Sequence, residues 1–196
     1  RLRGRGELWH RRGMSHSIDA PVPWIFGYGS LIWSPGFAFE AAERALLRGA
    51  HRRLCILSHH HRGTPERPGL VFGLERGGAC VGRAFRVAPD AWPEVRDYLR
   101  EREQVTAVYR EALRTVRLAG GETVTALVFL ADPGHAQYAG RLSLDEQLAY
   151  VHGARGSSGA NEDYVINTAE HLAALGIIDR QVLALSAMLK NGRQSA

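Results

Sequence analysis

The chain predicts an α+β fold: a curved or closed sheet flanked by helices. Strand-like apolar runs dominate its first two thirds, and helical patterns fill its last third. Regular strand–helix alternation, which a parallel βαβ sheet requires, is absent. Trp24–Tyr28 reads as a short buried strand. Leu54–Leu57 and Leu70–Leu74 read as two more, split by the polar insert HHHRGTPERPG. Val81–Val87 predicts another strand, interrupted by Arg83 and Arg86. Asp90 suits a helix cap, and Pro93 is tolerated in the first turn, where an amide has no intrahelical acceptor to lose. That helix should run to about Arg102. Arg110–Leu118 and Thr123–Leu130 predict a hairpin around Gly120-Gly121. Ser143 followed by Glu146 is a capping-box spacing for a helix ending near His152. The glycine-rich stretch GARGSSGAN leads to a helix from Glu162 to Leu175, stopped by Gly176. Asp179–Lys190 predicts the last helix.

A length of 196 residues suits one domain with an ordinary core, and 45% hydrophobic residues agrees with that. We expect residues 1–20 to be a disordered or appended tail and residues 21–192 to form a single domain. The formal charge of +5 suggests nucleic acid until it is located. Residues 1–13, ahead of the first methionine, hold five arginines against Glu7, a net of +4 that leaves +1 elsewhere. The basicity belongs to the tail, so no nucleic-acid partner is expected. No window of 18 uninterrupted apolar residues exists, so no membrane span is expected. Cys55 and Cys80 lie in apolar runs without metal spacing and read as buried thiols in a reducing, cytoplasmic compartment. The sequence sets no oligomeric state.

Three stretches carry candidate chemistry. In WIFGYGSLIW, residues 24–33, a strand breaks into Gly27-Tyr28-Gly29-Ser30. Glycines let a ligand approach the backbone, and successive amides at such a turn can cradle a carboxylate. The competing reading is a tight turn with Ser30 as its cap. The stretch lacks a P-loop lysine and dinucleotide spacing, so a small anion fits better than a nucleotide.

The helix after Asp90 gives the second clue. At about 100° per residue, with Trp92 at zero, Val95 falls near 300° and Leu99 near 340°. Glu103 falls at about 20°, on the apolar face, whereas Glu101 falls near 180° with Glu94 beside it. Burying a carboxylate raises its pKa and makes it a candidate general acid/base. The alternatives are an ion pair with Arg62, Arg86 or another arginine, or a helix that frays before Glu103.

The third stretch is His59-His60-His61-Arg62-Gly63-Thr64-Pro65. Three adjacent histidines cannot all face one ion on a strand, because neighbours point to opposite faces. No metal site is expected; a stiff loop presenting Arg62 to an anion is favoured. Tyr164, at a helix start, either packs with Val165, Thr168 and Leu172 or closes one side of a pocket.

With FGYGSLIWSPGF at 26–37, HRGTPERPG at 61–69, YLREREQ at 98–104 and GSSGANEDYV at 157–165, the sequence resembles the ChaC-type, glutathione-specific γ-glutamylcyclotransferases. The motifs occur in family order and the likeness spans roughly Trp24 to Lys190. It implies a γ-glutamylcyclotransferase-like fold, a small mixed β-barrel with flanking helices. It also implies a lyase that converts glutathione into 5-oxoproline and cysteinylglycine, with no cofactor. The family glutamate follows an arginine in a Tyr-Leu-x-x-Arg-Glu segment, which places the catalytic role on Glu103. Ile25, Phe26, Gly27, Tyr28, Gly29, Ser30, Arg62 and Tyr164 are the expected substrate-binding residues, with Arg62 directed at the glycine carboxylate. Residues 104–109, QVTAVY, depart from a Gly-Gly-Tyr pattern, with Tyr109 as the matching tyrosine. Two alternatives stand beside this: a cyclotransferase for other γ-glutamyl peptides or amines, and a non-catalytic glutathione-binding regulator linked to cation transport.

Overall fold

The computed structural model describes residues 24–103 and 107–194. The tail expected at 1–20 lies outside the described residues, as do Gln104, Val105 and Thr106. Strand β1, Trp24–Gly27, is buried at all four positions. Successive side chains of a strand point to opposite faces, and here both faces are covered. Phe26 joins a cluster with Leu70, Leu74 and Leu172, while Ile25 joins another with Trp92, Val95 and Leu99. That double burial is why β1 reads as a continuous apolar run.

A single 3-10 turn, Ser30–Ile32, follows β1. Strands β2, Ala41–Ser58, and β3, Gly69–Arg86, then run antiparallel for 18 residues each. The three separate strands expected at 54–57, 70–74 and 81–87 are therefore parts of two longer ones. The period-2 signal fails because the ladder shifts register between Arg48 and Ala50 and again between Leu54 and Ile56. Gly49 sits in the first shift with φ of 81°, a left-handed conformation suited to glycine. Charged residues also hide the strand: Arg53 pairs with Glu75 at 2.6 Å across the ladder. Arg52 is buried, but its guanidinium reaches the Tyr28 carbonyl at 2.5 Å, the Val81 carbonyl at 2.7 Å and Asp179 at 3.0 Å. A buried guanidinium with an acceptor on each of its three nitrogens is tolerated, and this one ties the end of β1 to β2 and β3.

Helix α1, Trp92–Glu103, lays Trp92, Val95 and Leu99 against Ile25, Leu127 and Phe129. Each such burial contributes roughly 1.5–3 kcal/mol. Strands β4, Tyr109–Leu118, and β5, Thr123–Ala131, form the expected hairpin, with Gly121 at φ 96° in its turn. β5 closes the barrel by pairing in parallel with β1, giving the order β1-β3-β2-β4-β5. Helix α2, Leu144–Val151, starts at the predicted capping box, with both reciprocal bonds between Ser143 and Glu146 present. Strands β6, Arg155–Gly156, and β7, Gly159–Ala160, make a small hairpin inside the glycine-rich stretch ahead of the next helix. Helix α3, Asn161–Ala174, ends before Gly176 at φ 65°, and α4, Arg180–Gln194, follows.

Asn161 docks α3 onto the barrel. It is fully buried, accepts from the Leu70 amide at 2.6 Å and donates to the Leu70 carbonyl at 2.9 Å. Asn161→Ala strips the buried Leu70 amide of its acceptor. We expect a loss of about 1–3 kcal/mol, read as a lowered urea midpoint with an unchanged slope.

Candidate active site

The end of β1, the 3-10 turn, the loop after β2, the end of α1 and the start of α3 converge on one pocket of about 500 Å³. That size falls within the roughly 300–1,000 Å³ typical of small-molecule sites. Tyr28, Gly29, Ser30, Arg62, Glu103 and Tyr164 all line it, although they come from distant parts of the chain. Ile25, Phe26 and Gly27 do not. Ile25 and Phe26 are fully buried in the two clusters on either side of β1.

The glycines are explained by the protein's own packing. A Cβ on Gly27 would lie 3.0 Å from the Leu31 Cβ and 3.1 Å from the Phe85 ring, so this glycine admits the returning turn. A Cβ on Gly29 would lie 3.1 Å from the Tyr164 hydroxyl. The space expected for a ligand at these two positions is occupied by Leu31, Phe85 and Tyr164. The amides of Gly29, Ser30 and Leu31 begin the 3-10 turn and have no backbone acceptor among the described residues.

Glu103 is the last residue of α1, so the helix does not fray before it. Its side chain keeps 17% exposure, and Glu103 lines the pocket. Burial raises its pKa above the ordinary glutamate value, and the Arg102 charge opposes that shift. Of the expected arginine partners neither named one holds it, since Arg86 pairs with Glu40 at 3.1 Å and Arg62 bonds to the Ala160 carbonyl, but the alternative of another arginine is met. The ion pair it does make is with its neighbour, Arg102 Nε at 3.3 Å. Glu101 is exposed, as the wheel predicts.

Arg102 is the main pocket residue that the sequence reading passed over. One Nη reaches the Ser34 carbonyl at 2.7 Å, the Pro35 carbonyl at 3.0 Å and the Tyr98 hydroxyl at 2.9 Å. The other reaches Ser30 Oγ at 3.0 Å. The guanidinium fork thus locks the end of α1 to the turn after β1. Its position beside Glu103 in YLREREQ was the available signal.

Besides Tyr98, which Arg102 holds, Tyr28, Tyr109 and Tyr164 share the pocket with Glu103. Tyr28 donates to the Phe129 carbonyl at 3.0 Å and Tyr109 to the Phe72 carbonyl at 2.9 Å. Tyr164 instead accepts from the Phe72 amide at 3.1 Å. Burial first, with the Glu103 charge adding to it, pushes all three phenols up, so they stay protonated. Arg62 lies over the Tyr164 ring, 5.3 Å from its centre. Both alternatives for Tyr164 hold at once: it is 5% exposed and it walls the pocket. Among the described residues no group of three His, Cys, Asp or Glu side chains could hold a metal ion.

The solved yeast gamma-glutamyl cyclotransferase specific to glutathione has the same fold, with a TM-score of 0.79 at 23% identity, over 86% of this chain and 95% of that one. The protein thus has the γ-glutamylcyclotransferase-like barrel. A family model for ChaC-like proteins matches residues 23–192, and the chain belongs to that family. It is 34% identical to a glutathione-specific gamma-glutamylcyclotransferase of Escherichia coli K12 over 82% of this chain and 69% of that one. It is 35% identical to glutathione-specific gamma-glutamylcyclotransferase 1 of Danio rerio, over 76% and 78% of the two chains.

The raised Glu103 pKa has a stability consequence. An unfolded glutamate titrates near about 4.3. Between that value and the raised folded value the native state holds the extra proton, so stability falls as pH rises. Glu103→Gln removes this penalty. It should melt higher than wild type at pH 8, with the gap closing towards pH 4, as read by differential scanning calorimetry.

Proposed function

We propose that the protein degrades glutathione by cyclising its γ-glutamyl group, releasing 5-oxoproline and cysteinylglycine. The observation that carries this reading is the position of Glu103 at the end of α1, its partly buried carboxylate in one pocket with Tyr28, Tyr109 and Tyr164. Relatives named for this activity in a bacterium and an animal support it.

The substrate's α-amine attacks its own γ-carbonyl carbon. A C–N bond forms, the amide C–N bond to cysteine breaks, and one proton passes from the amine to the departing nitrogen. No water is consumed. Both reacting groups belong to one molecule, so binding need only fold the γ-glutamyl arm into a near-attack geometry. The α-amine has a pKa of about 8 and is largely protonated at neutral pH. The free-amine fraction reacts, after the ammonium has lost one proton to solvent; as the ring closes, Glu103 takes one of the two remaining amine protons and passes it to the leaving nitrogen. A raised pKa suits both steps, since the carboxylate is a stronger base and its conjugate acid survives nearer neutrality. Tyr164 accepts the Phe72 amide, and its own proton has no acceptor among the described residues. That proton is aimed at the developing oxyanion. The open amides of Gly29 to Leu31 receive the α-carboxylate. Two buried free thiols suit a reducing, cytoplasmic setting.

Glu103→Gln keeps the shape and loses the base. Mass spectrometry of products from reduced glutathione should show at least about a hundredfold loss of 5-oxoproline formation, while Glu101→Gln stays near wild type. Wild-type turnover by Glu103→Gln would defeat the mechanism. Glutathione binding by the wild-type protein without any 5-oxoproline would instead support a non-catalytic binder. Equal turnover of γ-glutamyl-alanine would widen the substrate class to γ-glutamyl compounds in general.

A further inference from the structure

The segment after β5 supplies a stretch of pocket wall that the cyclisation chemistry does not use. It runs alongside the end of β2. The Leu57 amide donates to the Gln137 carbonyl at 2.8 Å, and the Ala139 amide donates to the Cys55 carbonyl at 2.8 Å. Tyr138, between them, forms an isolated bridge with Ile56. Gln137 lines the pocket together with Ile56, Val71 and Val108. Ile56 and Val108 belong to one buried cluster, with Val71 and Tyr138 packed against it. Gln137 thus brings an amide to an apolar corner.

The direction of that amide is fixed. Gln137 is 6% exposed. Its Nε2 donates to the Leu57 carbonyl at 2.9 Å. The flipped amide would set oxygen against oxygen, so the nitrogen faces β2. Oε1 has no donor among the described residues and is the end left to the pocket. The next residue sets the frame. Tyr138 donates to Glu75 Oε1 at 2.8 Å. The bond to Glu75, with burial next, pushes the Tyr138 phenol up, so it stays protonated and remains the donor. The other oxygen, Glu75 Oε2, is held by Arg53 Nε at 2.6 Å and lies 3.4 Å from His51 Nε2. One carboxylate on β3 thus pins the wall segment to the β2–β3 hairpin.

We propose that Gln137 is a specificity-determining residue whose Oε1 accepts a hydrogen bond from the substrate, and that Glu75, acting through Tyr138, is its positioning residue. The inference rests on the glutathione reading and adds a group to the site. In that reading the α-amine faces Glu103 and the α-carboxylate takes the amides of Gly29 to Leu31. The donors left on the substrate are then the amide N–H groups and the thiol. An acceptor set in an apolar corner discriminates, because a ligand that lacks the donor leaves it unpaired.

The test is calorimetric binding of reduced glutathione in the Glu103→Gln background, so that nothing is consumed. Gln137→Met keeps the side-chain length and removes the acceptor; it should weaken binding about tenfold. Gln137→Leu serves where Gln137→Met does not fold. Tyr138→Phe deletes only the bond to Glu75 and should weaken binding about threefold. Combining Tyr138→Phe with Gln137→Met should bind no worse than Gln137→Met alone, because the tyrosine acts through the glutamine. A merely structural tyrosine would add its own loss. Glu75→Gln, which keeps an acceptor for Tyr138, should bind more tightly than Glu75→Leu. The thiol-free analogue γ-glutamyl-α-aminobutyryl-glycine identifies the donor. An undiminished Gln137→Met effect on it assigns an amide N–H, and a vanished effect assigns the S–H. Full binding by Gln137→Met would overturn the acceptor, and additive losses would overturn the positioning role. If the binding effects hold but wild type makes no 5-oxoproline, the wall assignment stands and the catalytic reading falls. No binding of glutathione at all would sink both.

Discussion

The guanidinium of Arg102 is the interaction on which the site depends. A carboxylate at the end of a helix serves no cyclisation unless it faces the groups that hold the substrate. Arg102 enforces that approach by spending its two terminal nitrogens on Ser30, Ser34, Pro35 and Tyr98 and its Nε on Glu103. One planar cation thus sets the distance between the end of α1 and the turn after β1. It also leaves Glu103 only partly neutralised. Burial exceeds the opposing Arg102 charge, and the carboxylate pKa rises. A lysine could match the charge but not the fork, because it offers one nitrogen where five protein oxygens are waiting.

Behind this clamp, the barrel supplies a rigid frame with its polar groups already assigned. The Phe72 backbone on β3 is a hub, its amide bound to Tyr164 and its carbonyl to Tyr109. Tyr28 is fixed at both ends, by its own hydroxyl on Phe129 and by Arg52 on its carbonyl. These bonds hold the aromatic walls without using ligand energy. The Tyr164 hydroxyl hydrogen is left over, with no acceptor among the described residues. Preorganised donors of this kind cost no rearrangement at the moment of reaction.

The parts of this design that were legible in the sequence are those governed by local rules. The Ser143–Glu146 box, the Gly120-Gly121 hairpin and the Gly176 stop depend on a few adjacent residues and stand where they were expected. Glu103 was legible because helical periodicity converts sequence position into direction. The long strands β2 and β3 were not, because bulges at Gly49 and Cys55 break their alternation and arginines with outward or paired tips interrupt their apolar runs. The glycines of WIFGYGSLIW were legible as close approaches, but not as to what approaches. Leu31, Phe85 and Tyr164 are far apart in sequence from one another or arrive by tertiary packing. Arg102 and the His61–Ser158 pair were missed for the same reason: Ser30, Ser34 and Pro35 lie 67 to 72 residues from Arg102, and His61 lies 97 from Ser158.

The central claim is that Glu103 is a carboxylate whose pKa burial has raised, in reach of the reacting nitrogens. Carbon-13 NMR of side-chain-labelled glutamate, with the Glu103 resonance assigned by its loss in Glu103→Gln, measures that property directly. The account predicts a titration midpoint clearly above the roughly 4.3 of a free glutamate. A midpoint at or below that value would contradict it.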